Sequence, residues 1–351
     1  MLSQLIFILG EAKMKKYSRR DFLGMSTKIG ATTLFAGMFA PSATSMFGLG
    51  GVAHAAKRSL KPFNFAVLTD SHLYDIKNHR FDGILAKAVA DINSMRDKPD
   101  FVLYGGDLGQ SGKKSELLKG KKILDTLKVP YRIIPGEHDY YLDMGKDWRG
   151  LFGDEHWSFD HNGVHFIGMN SILIKDFWSM RNLTPKERMG LMEELECHQC
   201  GAWGVGEKQL QWLAQDVKNL SPDTPVVIMT HSPLWDYYPR WNFQTLDAPE
   251  IRGILRKFEK VIAIHGHVHQ VVYNKIDNIS SAGLMSTSWP WPYPSIELPY
   301  PDIRQNRADP GDFEDGLGTH EIVVADDFAG MLNYKSFSDV LPANVKRGLK
   351  I

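Results

Sequence analysis

The chain has 351 residues, 43% of them hydrophobic and 23% charged, with 41 lysines and arginines balanced by 41 aspartates and glutamates. This composition suits a globular protein with material for one large core or two modest ones. A zero formal charge excludes the basic excess that recruits nucleic acid through its phosphates, and two cysteines exclude a disulfide framework, so the core must supply the stability.

The first readable element is a leader. Tyr17-Ser18-Arg19-Arg20-Asp21-Phe22-Leu23-Gly24 has the form of a twin-arginine export signal, with Lys15 and Lys16 ahead of it. The weakly apolar run from Met25 to Ala40 contains several Gly, Ser and Thr residues and is too short and too polar for a membrane span. A small-x-small cleavage site comes next at Ala53-His54-Ala55, so the mature chain is expected to begin at Ala56. Met14 is a natural start, which would make residues 1–13 an upstream extension of the reading frame. The competing reading is a signal anchor or a chance pair of arginines. Nothing after residue 56 reads as a membrane helix. The expected organisation is a leader over 1–55 and one domain over 56–351, exported to the periplasm by the twin-arginine translocation machinery, which carries folded cargo.

Five short apolar runs read as buried strands: Phe63 to Leu68, Phe101 to Tyr104, Tyr131 to Ile134, Val226 to Met229, and Val261 to Ile264. Between them, Phe81, Ile84, Leu85, Ala88, Val89, Ile92 and Met95 recur at helical spacing, as do Leu210, Leu213, Val217 and Leu220 in a helix expected over 206–220. Strands alternating with amphipathic helices predict an α/β fold. Alternating runs between Thr319 and Phe337 read as strands that complete a sheet.

The residues just beyond each strand carry the chemistry. The five runs lead into Asp70-Ser71-His72, Gly105-Gly106-Asp107, Gly136-Glu137-His138-Asp139, Thr230-His231, and His265-Gly266-His267-Val268-His269. In open α/β sheets, sites form beyond the carboxyl ends of the strands, so these side chains are expected to converge. A core histidine or a helix cap explains any one of them alone; coincidence at all five strand ends is a much weaker account. Spacing of two in Asp70-x-His72 and His267-x-His269 puts both side chains of each pair on one side of an extended segment, within reach of one metal centre. Oxygen and imidazole donors without thiolate suit manganese, iron or zinc. His265 reads as a strand residue rather than a ligand.

In order, these motifs (DSH, GGD, GEHD, H and GHVH over residues 70–269) resemble the calcineurin-like metallophosphoesterases, and their spacing is most similar to the bacterial class III cyclic-nucleotide phosphodiesterase branch. The resemblance implies an α/β, four-layer αββα sandwich of two mixed sheets, with the metal site at the C-terminal ends of the strands. It implies a first metal held by Asp70, His72 and His269, a second held by Glu137, His231 and His267, and Asp107 bridging the two. It also implies phosphoester hydrolysis by a metal-bridging hydroxide, with His138 contacting the phosphate and protonating the leaving oxygen. Uptake of two transition-metal ions before export would suit a twin-arginine substrate. The departure is Glu137, where the family places asparagine. A charged carboxylate there predicts a preference for phosphodiesters over phosphomonoesters, unless Glu137 turns away from the site.

Two features stay open. Cys197-His198-Gln199-Cys200 reads as a short-loop disulfide, as free thiols, or as a zinc or redox motif, and it is not a haem-attachment motif. The aromatic and proline-rich segment at 289–301, beginning Trp289-Pro290-Trp291, reads as a wall over the site, a docking surface, or plain packing. Competing functions are a non-catalytic periplasmic binding or assembly protein on the same fold, and a thiol-redox protein, which lacks a thioredoxin-like strand and helix around Cys197.

Overall fold

A computed structural model describes residues 60–140, 142–173, 183–193, 203–238, 241, 243–291, 303–304, 312, 314–325 and 330–337. The leader, the Cys197 to Cys200 motif and residues 292–301 of the aromatic segment lie outside the described residues. No helix among the described residues is long and apolar enough to cross a membrane.

Two sheets form the centre. The first has strand order β12-β11-β1-β2-β3, from β1 (Phe63–Leu68), β2 (Val102–Tyr104), β3 (Tyr131–Ile133), β11 (Gly318–Val324) and β12 (Gly330–Ser336). The second has order β10-β8-β9-β7-β6-β5-β4, from β4 (Trp157–His161), β5 (Val164–Met169), β6 (Val226–Thr230), β7 (Val261–His265), β8 (Val272–Ile276), β9 (Ile279–Gly283) and β10 (Ile303–Arg304). Both are mixed. β1, β2 and β3 run parallel while β11 joins β1 antiparallel. In the second sheet β5, β6, β7 and β9 run parallel, and β4 and β8 are antiparallel to their neighbours.

The strand period of two explains the layering. From β1, Phe63, Phe65 and Val67 enter a core shared with Phe166, Val227, Met229 and Ile264 of the second sheet. Ala66 and Leu68, on the other face, meet Phe81, Leu85 and Val89 of α1 (Arg80–Asn93) and Leu117 of α2 (Lys114–Leu124). Ile167, Ile228 and Ala263 of the second sheet meet Leu213 of α5 (Gly206–Asp216) and Ile251 and Leu255 of α6 (Ala248–Leu255). The result is helix, sheet, sheet, helix, as the motif resemblance implied. Because β1, β6 and β7 are covered on both faces, their sequences are near-continuous apolar runs rather than alternating ones. Each large apolar side chain so buried contributes about 1.5–3 kcal/mol. Two further helices, α3 (Lys146–Phe152) and α4 (Pro185–Glu193), complete the described elements.

The expected strands fall in place with small differences. Phe101 precedes β2 and Ile134 follows β3, yet both side chains are buried between the sheets. β3 is not a buried strand: Arg132 is exposed and Tyr131 half-buried, because β3 is the edge of its sheet. α1 stops at Asn93 and leaves Met95 packed on the same core from beyond the helix end. α5 ends at Asp216, with Val217 capping it. The alternating tail forms β11 and β12 and extends the first sheet, as expected.

Candidate metal centre

The strand-end residues come together across the two sheets. Asp70, Asp107 and Glu137 come after β1, β2 and β3 of the first sheet; His231, His267 and His269 come after β6 and β7 of the second. All of these, with His72 and His138, are buried. Their donor atoms form four overlapping groups of ligating geometry: Asp70 with His72 and His269; Glu137 with His231 and His267; Asp70 with Asp107 and His231; and His72 with Asp107 and His138.

The first group is tight, with His269 Nε2 3.1 Å from both Asp70 Oδ1 and His72 Nε2. In the second, Glu137 Oε2 lies 2.7 Å from His231 Nε2, and Oε1 lies 3.2 Å from His267 Nδ1. Asp107 stands between them, its Oδ2 3.5 Å from His72 Nε2 and 3.3 Å from His231 Nε2. Glu137 therefore faces the site and does not turn away. His267 and His269 part company: two residues apart, they serve different groups.

That split corrects the one-centre reading for His267 and His269, whereas Asp70 and His72 do share one group. Asp70, His72, Asp107, His267 and His269 all have left-handed backbone, with φ of 55°, 47°, 54°, 62° and 45°. A left-handed residue costs roughly 1–2 kcal/mol for an L-amino acid, less for short polar types. Such concentrated strain persists only where the surroundings over-determine the backbone. Here Asp70 N–H donates to Gly106 O and His72 N–H to Asp107 O, and His267 N–H donates to the Asp70 carboxylate. The motif glycines reflect the same crowding. A Cβ on Gly136 would sit 2.1 Å from Asp107 Oδ1, and one on Gly266 2.4 Å from Asp70 Oδ2.

The outer ring nitrogens are tied down. His231 Nδ1 lies 2.7 Å from Gly105 O, His269 Nδ1 2.6 Å from Trp289 O, and His138 Nδ1 2.7 Å from Gln110 O. A carbonyl only accepts, so each Nδ1 carries a proton and each Nε2 faces inward. Asp139 accepts from the backbone N–H groups of Gly109 and Gly136, linking the loops after β2 and β3. Burial, helped by the Asp107 charge, raises its carboxyl to about 7.

Charge within the site is shared between carboxylates and imidazoles. Burial alone would raise Asp70, but His269 and His72 hold it well below the usual carboxylate range. Glu137 is likewise held low against burial by His231 and His267. His231 moves up, since Asp107 and Glu137 outweigh its desolvation. His72 is pushed down to about 4 by burial and by His138.

The donor set fits cations. Glu137 Oε2 and His231 Nε2 are wholly buried and 2.7 Å apart, yet neither has a hydrogen-bond partner. With Nδ1 of His231 committed to Gly105, the raised pKa places a proton on Nε2 toward Glu137, and a cation between the two groups would take that proton's place. His265 takes no part in these groups: it is the last residue of β7, with Nδ1 3.1 Å from Gly266 O.

Residues 63–271 match the calcineurin-like phosphoesterase family model, more than half of the chain. The chain belongs to the calcineurin-like phosphoesterase family. It is 28% identical over 206 residues to a protein of Arcobacter nitrofigilis named as a probable glycerophosphodiester phosphodiesterase, covering 56% of this chain and 68% of that one. It is 22% identical over 236 residues to a 3',5'-cyclic-nucleotide phosphodiesterase of Nostoc, covering 65% and 79%. A dimetal phosphatase from Danio rerio shares the fold, with a TM-score of 0.55 at 14% identity, covering 79% of this chain and all of that one. The protein is thus a metal-dependent phosphoesterase with a buried cluster able to hold metal ions.

Further contributors to this phosphoesterase site were open in the sequence or carried no signal there. Trp289 packs tilted against His72 and His269, with ring centroids 4.2 and 4.8 Å away, so the start of the aromatic segment is a wall of the site. Trp203 lies 4.2 Å from the His267 ring on the other side. Gln110, which no ligand motif marks, and the carbonyls of Gly105 and Trp289 are silent, the carbonyls because main-chain acceptors have no residue type.

Proposed function

We propose that this protein hydrolyses phosphodiesters in preference to phosphomonoesters, holding two cations between its sheets. Asp70, His72 and His269 are assigned to one cation, Glu137, His231 and His267 to the other, and Asp107 to both. The observation that carries the reading is Asp107 Oδ2, within 3.5 Å of inward-facing nitrogens from both groups. Two such cations supply a water of lowered pKa and neutralise charge on the phosphoryl oxygens. Within this arrangement the Asp107 carboxylate would offset the mutual repulsion of two positive centres held close. His138, held by Gln110 O through Nδ1, presents Nε2 as the atom that gives a proton to the leaving oxygen. The names of the Arcobacter and Nostoc relatives support a diester substrate.

The test is reconstitution. Chelator-stripped protein should be inactive on an aryl phosphodiester, and manganese, iron or zinc should restore turnover as elemental analysis reaches two ions per chain. Full activity with one ion, or none after loading, would remove the two-cation reading.

The leader supports periplasmic location by twin-arginine export. Changing Arg19 and Arg20 together to lysine should hold the precursor in the cytoplasm with its leader uncleaved, as fractionation and mass spectrometry would report. Normal periplasmic recovery of the double variant contradicts that assignment.

A further inference from the structure

Four imidazoles at the site have Nδ1 tied to an oxygen outside the ligating groups. Three are tied to main-chain carbonyls, of Gly105, Gln110 and Trp289, which no substitution removes. His72 is different: its Nδ1 lies 3.0 Å from the side-chain Oε1 of Gln110. Gln110 thus touches two groups with two parts of itself. Its side chain meets His72, assigned to the first cation, and its main chain meets His138, assigned to proton transfer.

The backbone explains how one residue does both. Gln110 N–H donates to Leu73 O at 2.9 Å, and Leu73 N–H donates to Leu108 O, so the stretch after Asp107 runs beside the stretch after His72 like a short extra pair of strands. That pairing fixes the Gln110 Cα next to both histidines. Its side chain is buried and so has little freedom to leave His72.

We infer that Gln110 is a positioning residue that selects the His72 tautomer able to bind a cation. The inference rests on the two-cation reading above. His72 Nε2 points at Asp70, Asp107 and His269, and it can ligate only as a bare lone pair. In the neutral ring this requires the proton on Nδ1, where only an acceptor stabilises it. Gln110 Oε1 is that acceptor. Without it the other tautomer gains ground, with its proton on Nε2, directed at His269 Nε2 only 3.1 Å away. Hydrogen-bonded partners of metal-binding histidines typically change affinity by about 10–100-fold when removed.

The chemistry separates two substitutions of similar size. Gln110→Met keeps the length and removes the acceptor. Gln110→Glu keeps an acceptor and makes it stronger, since a carboxylate at this point accepts only. Both leave the main-chain carbonyl that holds His138 in place.

The experiment is calorimetric titration of chelator-stripped full-length protein with manganese alone, with thermal melting of each apoprotein as control. Wild type should take up two ions. Gln110→Met should weaken one of the two by about 10–100-fold and leave the other unchanged. Gln110→Glu should keep that ion at wild-type affinity or tighter. The dependence of rate on leaving-group acidity should be the same in all three proteins, because His138 is untouched. A Met variant with wild-type affinity for both ions, or Met and Glu variants that weaken both ions alike, overturns the assignment of Gln110 alone. Wild type binding fewer than two ions overturns the two-cation reading and this inference with it.

Discussion

Replacing His138 by alanine should slow hydrolysis of an alkyl phosphodiester by about 10²–10⁴-fold, the range a positioned general acid supplies. The expectation rests on how the ring is held. Its Nδ1 proton is committed to Gln110 O at 2.7 Å, so any exchangeable proton relevant to chemistry sits on Nε2. The ring also stands edge-on to His72 with centroids 4.5 Å apart, and its backbone N–H donates to Asp107 Oδ1 at 2.9 Å. Three contacts therefore fix one orientation, and the alanine variant keeps the backbone bond to Asp107. Metal content should stay near two ions per chain. The penalty should shrink on aryl esters, whose leaving groups depart without a proton. The measurement is rate against leaving-group pKa for both proteins. Because His138 also lies within ligating distance of His72 and Asp107, loss of a metal ion in the variant would recast it as a ligand. An equal loss on good and poor leaving groups would recast it as a phosphate-positioning group.

Much of this site was legible because the fold writes it at strand ends. A strand buried on both faces is an uninterrupted apolar run, and the polar residues just after β1, β2, β3, β6 and β7 mark one edge of two sheets. Asp70, Asp107, Glu137, His231, His267 and His269 were therefore recoverable by position alone. The hairpin between β4 and β5 carries a signal of its own that the apolar runs do not include: Asn162-Gly163 has φ of 48° and 89°, the backbone that an Asn-Gly turn favours. Other features leave no trace in residue order. Five ligand-bearing positions adopt left-handed backbone, which no spacing rule anticipates, and His267 and His269 fall in different groups while Asp70 and His72 share one. Carbonyl acceptors such as Gly105 O and Trp289 O are chosen by loop path rather than by side chain. Trp289 was visible as an aromatic, but its seat on His72 and His269 depends on the loop 286–289, where Ser288 Oγ donates to Asp70 O and Thr287 N–H to Thr69 O.

Changing Glu137 to asparagine should raise activity on phosphomonoesters relative to diesters by about tenfold or more, if even a third of the charge effect below survives relaxation. Glu137 is buried, with Oε2 2.7 Å from His231 and Oε1 3.2 Å from His267, so its charge is not screened by solvent. In the proposed two-cation site, Asp70, Asp107 and Glu137 would set three negative charges against two divalent cations, leaving one positive unit where asparagine would leave two. One charge acting at about 4 Å is worth roughly 4 kcal/mol at an effective dielectric near 20, before relaxation. A dianionic monoester would feel that difference twice as strongly as a monoanionic diester, so the proposed site should discriminate against monoesters through its native glutamate. The same carboxylate also binds cations more strongly than a neutral amide does, and the variant should hold its second ion less tightly. The ratio of kcat/KM on matched aryl diester and monoester substrates, at fixed metal loading, isolates the charge effect from the loss of metal. Glu137→Gln is the control for reach, since it removes the charge and keeps the length. If charge governs selectivity, the glutamine and asparagine variants should shift the ratio in the same direction. A ratio that stays put, or moves toward diesters, would mean that Glu137 serves the site by shape, and the diester preference would need another origin.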